Sequence, residues 1–286
     1  MLGRSLLLAS TLVATAAAAQ EPGSADWPLV PGLMGYNALP VLPNADPVVG
    51  SLGELELGGA AQASGLEARD HAATPYVRLM VPFRETAALE LDAILVEIWR
   101  TSAETQQRLA ALHRAGGTSG DIRFGARFLL FRERRLPAVG LRLTVKSTTG
   151  KGLTSRRFTN APGYAIDVLF GKEAGELAGT QVRALARVGF LAWQFAQDRQ
   201  DDALGYGLGL RATRASGLGL ELDWRGYLGW RFADRPSVLG LTGVLPMPAG
   251  ELKATLNAGL NRDAPPMEVR VGWVGRFELP EALRGE

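Results

Sequence analysis

The chain has 286 residues, 21% of them charged, with 35 glycines, no cysteine and a formal net charge of +2. Near-balanced charge argues against a nucleic-acid partner. The lack of cysteine excludes disulfides, thiolate metal sites and a lipid anchor on an N-terminal cysteine.

Residues 1–20 read as a signal peptide. Arg4 supplies the positive start, Leu6 to Ala19 the apolar run, and Ala17-Ala18-Ala19 the small residues before a cut near Ala19 or Gln20. The run falls short of the roughly 20 residues that a spanning helix needs. No later stretch approaches that length without charges. An uncleaved N-terminal anchor is the alternative.

Residues 21–48 are Pro-rich and aperiodic, which excludes a paired central strand. They form either a periplasmic lead-in or a segment folded into a barrel mouth. Trp27, Leu29, Val30, Leu33, Met34 and Tyr36 favour partial order.

From residue 49 to 279 the apolar residues alternate with polar ones. In Met267 to Phe277, Val269, Val271, Trp273 and Phe277 share one face, while Glu268, Arg270 and Arg276 share the other. Side chains on a strand alternate with period two, so each such segment is a strand with one apolar and one charged face. Strands are expected near 52–63, 74–84, 87–99, 120–132, 137–147, 163–172, 181–194, 202–213, 217–230, 236–246, 250–261 and 266–279. Most match the length of a tilted membrane crossing, about 9 to 11 residues, and their number is even. Short connections at 84–86, 133–136, 214–216 and 247–249 alternate with long ones at 100–119 and 148–162. Barrels with periplasmic turns and longer outer loops show this alternation. The connection 172–180 is longer than that rule prefers. In the first long loop, Thr101-Ser102-Ala103-Glu104 fits a capping box with Thr101 as N-cap. It predicts a helix of three to four turns stopped by Gly116-Gly117. Residues 280–286 form a short periplasmic tail.

Which face looks outward follows from the charges. Arg123, Arg127, Arg142, Arg183, Arg187, Glu221, Asp223, Arg225 and Arg270 fall mid-strand on one face, with Gly205, Gly207 and Gly209 leaving room beside them. The other face carries Phe124, Phe128, Trp224, Trp230, Trp273 and Phe277, as aromatic girdles at a membrane interface require. The fold class is therefore all-β, a transmembrane antiparallel up-and-down barrel of about twelve strands with a polar lumen. A soluble secreted sandwich is the competing arrangement.

The run from Gly120 to Gly152, GDIRFGARFLLFRERRLPAVGLRLTVKSTTGKG, resembles a family of bacterial outer-membrane barrels, the meta-pathway phenol-degradation or transporter-like barrels. Gly-Asp opens a strand, a tight turn leads to alternating Leu and Arg, and Thr-Gly enters a long loop. APGYAIDVLFGKE from Ala161 and GFLAWQ from Gly189 fit similar barrels. The resemblance implies a barrel of about twelve strands and uptake or export of hydrophobic compounds. It carries over no catalytic or ligand residue. The chain departs from such barrels by placing nine residues after Phe277.

Candidate chemistry is sparse. The two histidines, His71 and His113, fall in expected loops, and no spacing selects Ser64, Ser102 or Ser119 as a nucleophile beside them. No metal or cofactor site is expected. The interior arginines either form ion pairs with the acids among them or line a conduit. Lys151, Arg156 and Arg157 in an outer loop are either solvated or meet lipopolysaccharide phosphates. The sequence thus reads as an outer-membrane passive channel or transporter for a small solute, without enzyme activity. A non-conducting structural or adhesive barrel and a barrel lipid hydrolase are the alternatives. The expected partners are outer-membrane lipid, lipopolysaccharide and the barrel-assembly machinery.

Overall fold

A computed structural model describes residues 34–36, 41–63, 70–151, 155–157, 162–196, 199–230 and 233–280. The expected signal peptide lies outside the described residues, as does the tail from residue 281. Fourteen strand segments and one helix follow one another: β1 (Gly53–Ala63), β2 (His71–Phe83), β3 (Ala87–Ile94), β4 (Val96–Arg100), α1 (Ala103–Leu109), β5 (Ala115–Ser119) and β6 (Ile122–Phe131). Then come β7 (Ala138–Lys146), β8 (Gly163–Leu177), β9 (Thr180–Ala196), β10 (Arg199–Arg214) and β11 (Gly219–Gly229). The last are β12 (Ser237–Met247), β13 (Gly250–Gly259) and β14 (Met267–Phe277).

Every pairing is antiparallel, and β1 pairs with both β2 and β14, which closes the sheet. β3 and β4 are one wall strand interrupted at Leu95, and β5 and β6 are the next, interrupted at Gly120-Asp121. The wall is a closed barrel of twelve strands. Closure removes the unpaired edges that an open sheet would present.

Three expectations about the elements are corrected. The helix has 7 residues rather than three to four turns, and Ser102, not Thr101, is its N-cap. Its C-cap Ala110 is left-handed at φ 50°, and Gly116-Gly117 belong to β5, paired with Trp99 and Ile98. The chain leaves the helix early because β5 returns to β4 as a hairpin. The fourth wall strand thus begins at Ala115 and the second at His71, which is not in a loop. Last, the long connection after the sixth strand disappears. β8 and β9 run to 15 and 17 residues and meet in a two-residue turn, Ala178-Gly179, with φ of 50° and 72°. Such a turn matches the twist of a hairpin. All described connections at this end of the barrel are short, and we call it the turn end.

The faces sort as the period-two pattern requires. Phe124, Phe128, Trp224, Trp230, Trp273 and Phe277 are all exposed on the outside, in a belt with Leu208, Leu222, Leu241, Leu256 and Val271. Phe128, Trp273 and Phe277 lie toward the turn end, where Phe128 pairs with Ala87 at the start of β3 and Trp273 Nε1 donates to Ala249 O. Phe124, Trp224 and Trp230 lie toward the loop end. An apolar belt between two aromatic girdles is the outer surface that a bilayer covers. It predicts that Lys151→Cys and His113→Cys, both exposed at the loop end, label with an impermeant thiol reagent on intact cells. Arg135→Cys at the turn end stays unlabelled. Labelling of Arg135→Cys alone reverses the orientation.

Candidate functional site

Of the Pro-rich segment before β1, residues 34–36 and 41–48 are described. Residues 34–36 pack in the loop-end mouth, and 41–50 run on inside the barrel as a strap. At the loop end Met34 is fully buried against Leu109 of α1, Leu191, Trp193 and Tyr227. Tyr36 packs with Tyr76, Ile94 and Trp99. Toward the turn end, Asn44 Nδ2 donates to Leu208 O at 2.9 Å. Glycines of the wall provide the trough. A Cβ at Gly207 would overlap Asn44 Oδ1, and one at Gly140 would lie 2.9 Å from Pro47 Cβ.

Arginines hold the strap through its main chain and through one carboxylate. Arg142 Nη1 donates to Pro43 O at 3.0 Å, and Arg127 Nη1 donates to Asp46 O at 2.6 Å. Arg183 grips the Asp46 carboxylate with both sides of its fork, Nε to Oδ2 at 2.6 Å and Nη2 to Oδ1 at 3.1 Å. Arg211 stands 3.6 Å from the same carboxylate. Bidentate guanidinium–carboxylate pairs are among the stronger and most directional polar contacts.

The predicted interior residues all face the lumen, but they do not form a row of free cations. Arg123 pairs with Asp92, Arg127 with Glu90, and Arg183 with Glu133 as well as Asp46. Arg211 pairs with Glu221, Arg225 with Asp223, and Arg270 with Glu268. Asp167 takes two partners: Arg142 at 2.6 Å and Arg187 at 2.8 Å. A buried ion without a partner costs several kcal/mol, so alternating charges across neighbouring strands are the arrangement a filled lumen demands. Beside the strap the wall carries five arginines (127, 142, 183, 187, 211) and four carboxylates (Glu90, Glu133, Asp167, Glu221). The Asp46 carboxylate supplies the fifth. Lys172, paired with Glu133 at the rim, adds to the cationic excess.

The strap does not fill the lumen. A cavity of about 600 Å³ runs along it, with Glu54, Glu251 and Arg276 toward the turn end and Gln62, Pro236 and Pro265 toward the loop end. Arg78, Asp92, Arg123, Arg127, Arg225 and Arg270 line its middle. Buried Nε atoms of Arg123, Arg127 and Arg225 have no hydrogen-bond partner among the described residues.

The basic outer loop is corrected too. Arg157 is fully buried, ion-paired to Glu97 at 2.5 Å and stacked over the Trp99 ring. Arg156 Nε donates to Leu109 O. Only Lys151 of the three remains exposed for phosphate contact. Ser102 Oγ caps α1 and donates to Asp70, while His71 and His113 are exposed. None of these contacts joins Ser102 to a histidine.

Asp234, in the connection between β11 and β12, is buried with its carboxyl beside that of Asp201, both crowding Gly229, and near the Tyr227 hydroxyl. Burial first, and then the Asp201 carboxyl, push the Asp234 carboxyl up to about 7. The folded protein therefore holds this proton more tightly than the unfolded chain. Its stabilisation is full below the ordinary carboxylate range and is lost as pH rises through about 7. Urea unfolding midpoints should fall as pH rises from the ordinary carboxylate range to about 7 and level off above it. Asp234→Asn should flatten that dependence; an unchanged slope would place the titrating group elsewhere.

No known family profile matches the chain, and no curated protein matches its sequence. Solved structures do match its fold. The COG4313 outer membrane channel from Pseudomonas putida F1 superimposes with a TM-score of 0.57 at 15% identity, over 82% of this chain and 97% of that one. The β domain of the Bordetella autotransporter BrkA gives a TM-score of 0.49 at 12% identity, over 79% of this chain and all of that one. The chain has the fold of bacterial outer-membrane barrels.

Proposed function

We propose that the protein is a passive channel of the bacterial outer membrane that admits a small polar solute, narrowed by its own N-terminal strap. The observation that carries this reading is the charged cavity running beside the strap between the two ends of the barrel. Its volume is in the range of small-molecule sites, roughly 300–1,000 Å³. The apolar belt and the likeness to a channel support the location and the class. The resemblance to the phenol-degradation barrels implies a hydrophobic or aromatic solute. The mixed-sign lining instead supports an ionised or strongly polar one. The reading includes no enzyme activity, and Ser102 tied up as a helix cap supports that part. Lipid around the belt, lipopolysaccharide near Lys151 and the barrel-assembly machinery are the partners it requires.

A non-conducting structural barrel is the second reading. It is favoured by the apolar packing of Met34, Leu109, Trp193 and Tyr227 across the loop end. Refolded protein in planar bilayers separates the two. Small, discrete conductance steps are expected, with no phospholipid turnover. A folded barrel inserted without any conductance establishes the second reading, and lipid hydrolysis overturns the assignment as a non-enzyme.

A further inference from the structure

The strap meets the barrel wall at an unusual place. The Asp46 carboxylate accepts from Val48 N–H at 3.0 Å and occupies the fork of Arg183, while its carbonyl accepts from Arg127. Among the described residues, the five wall arginines beside the strap meet four wall carboxylates until Asp46 is added. Arg127 and Arg211 also line the open cavity, as do Asn44 and Ala45 of the strap, and Arg183 lies behind this lining on the Asp46 carboxylate. An arginine fork matches a planar carboxylate in both geometry and charge, and it binds any carboxylate that reaches it, not only one that is tethered.

We propose that Arg127, Arg183 and Arg211 form a carboxylate-binding site, occupied in the closed channel by Asp46 as a built-in stand-in for solute. A small organic carboxylate entering the cavity competes for the same fork. When it displaces the Asp46 carboxylate, the strap keeps only its main-chain contacts to Arg127 and Arg142 and the Asn44 bond to Leu208, and the lumen beside Gly140 and Gly207 loosens. The tether gives Asp46 a high effective concentration, so the site stays shut at low solute and yields at high solute. This rests on the channel reading for its purpose, but binding and strap release are measurable without any conduction.

The chain has no native cysteine, so Ala45→Cys places a single thiol on the strap facing the cavity. Its labelling rate by a small maleimide is measured on refolded full-length protein, with heat-modifiable mobility confirming the fold. Adding Asp46→Asn should speed labelling about tenfold, the change given by weakening the closed state by about 1.4 kcal/mol. Succinate should speed labelling of the Asp46-containing protein in a saturable manner, and the uncharged succinamide should not. Arg183→Lys, which keeps the charge and loses the fork, should blunt the succinate effect and serves if Asp46→Asn does not fold. Equal rates with succinate and succinamide, or no effect of Asp46→Asn in a folded barrel, overturn the site. Succinate-dependent labelling in a barrel that never conducts leaves the site standing and overturns the channel.

Discussion

Asp167→Asn is expected to destabilise the barrel by about 3–5 kcal/mol, the cost typical of breaking a buried ion pair from one side. Asp167 is 2% exposed, and its two oxygens take Arg142 and Arg187 from the strands on either side. Asparagine keeps the shape but leaves two buried guanidinium groups sharing no negative charge. Arg187 already has Nε and Nη2 without a hydrogen-bond partner among the described residues. Urea titration of refolded protein, followed by heat-modifiable mobility, measures the loss. A change below about 1 kcal/mol, the range of exposed pairs, would mean that water reaches this triad and the lumen is wetter than its packing implies. Reversing Arg127 and Arg187 together to glutamate puts acids beside Glu90 and Asp167 and is expected to prevent folding outright.

Val271→Arg on β14 is expected to cost about 2–4 kcal/mol, the value for an arginine on the lipid face near the bilayer midplane. Val271 is exposed at the middle of its strand, paired with Gly59 and Ala254, with no lumen contact that an arginine side chain could reach. Lys253→Gln is the matched lumen control. It is a third exposed, and its partner Glu56 keeps Arg78 and the Tyr76 hydroxyl. Its loss should stay within about 1 kcal/mol. Equal tolerance at the two positions would remove the bilayer from the outer face. Arg270, next to Val271 in sequence, is the wrong control because its fork holds the buried Glu268, which also takes Asn257.

The two sets of effects come from one pattern, the alternation of side chains along each strand, and that pattern is local. Glu268, Arg270 and Val271 declare their faces from neighbours one and two residues away. The strand number, the inward arginines and the two girdles around Phe128 and Trp230 were therefore legible in the sequence. Boundaries were less so. The hairpin of β4 and β5 and the long β8–β9 pair depend on what each strand meets across the sheet, which periodicity within one strand does not encode.

The strap was not legible, for a physical reason. Residues 34–36 and 41–50 have no backbone ladder and no period; their positions are set by contacts to residues far along the chain, such as Asn44 with Leu208 and Asp46 with Arg183. Its proline content excluded a strand but left open where the segment lies. Gly205, Gly207 and Gly209 signalled a need for space without saying what fills it. The arginine positions follow from sequence alone; the acid each one meets is a matter of register between strands. So the sequence by itself determined the twelve-stranded wall and the sign of its two faces, because period two and strand length are properties of short segments. The strap, its Asp46 latch, the paired state of the arginines and the cavity beside them were decided only by closure of the sheet. Closure brings the ends of the chain's longest separations to within hydrogen-bond distance.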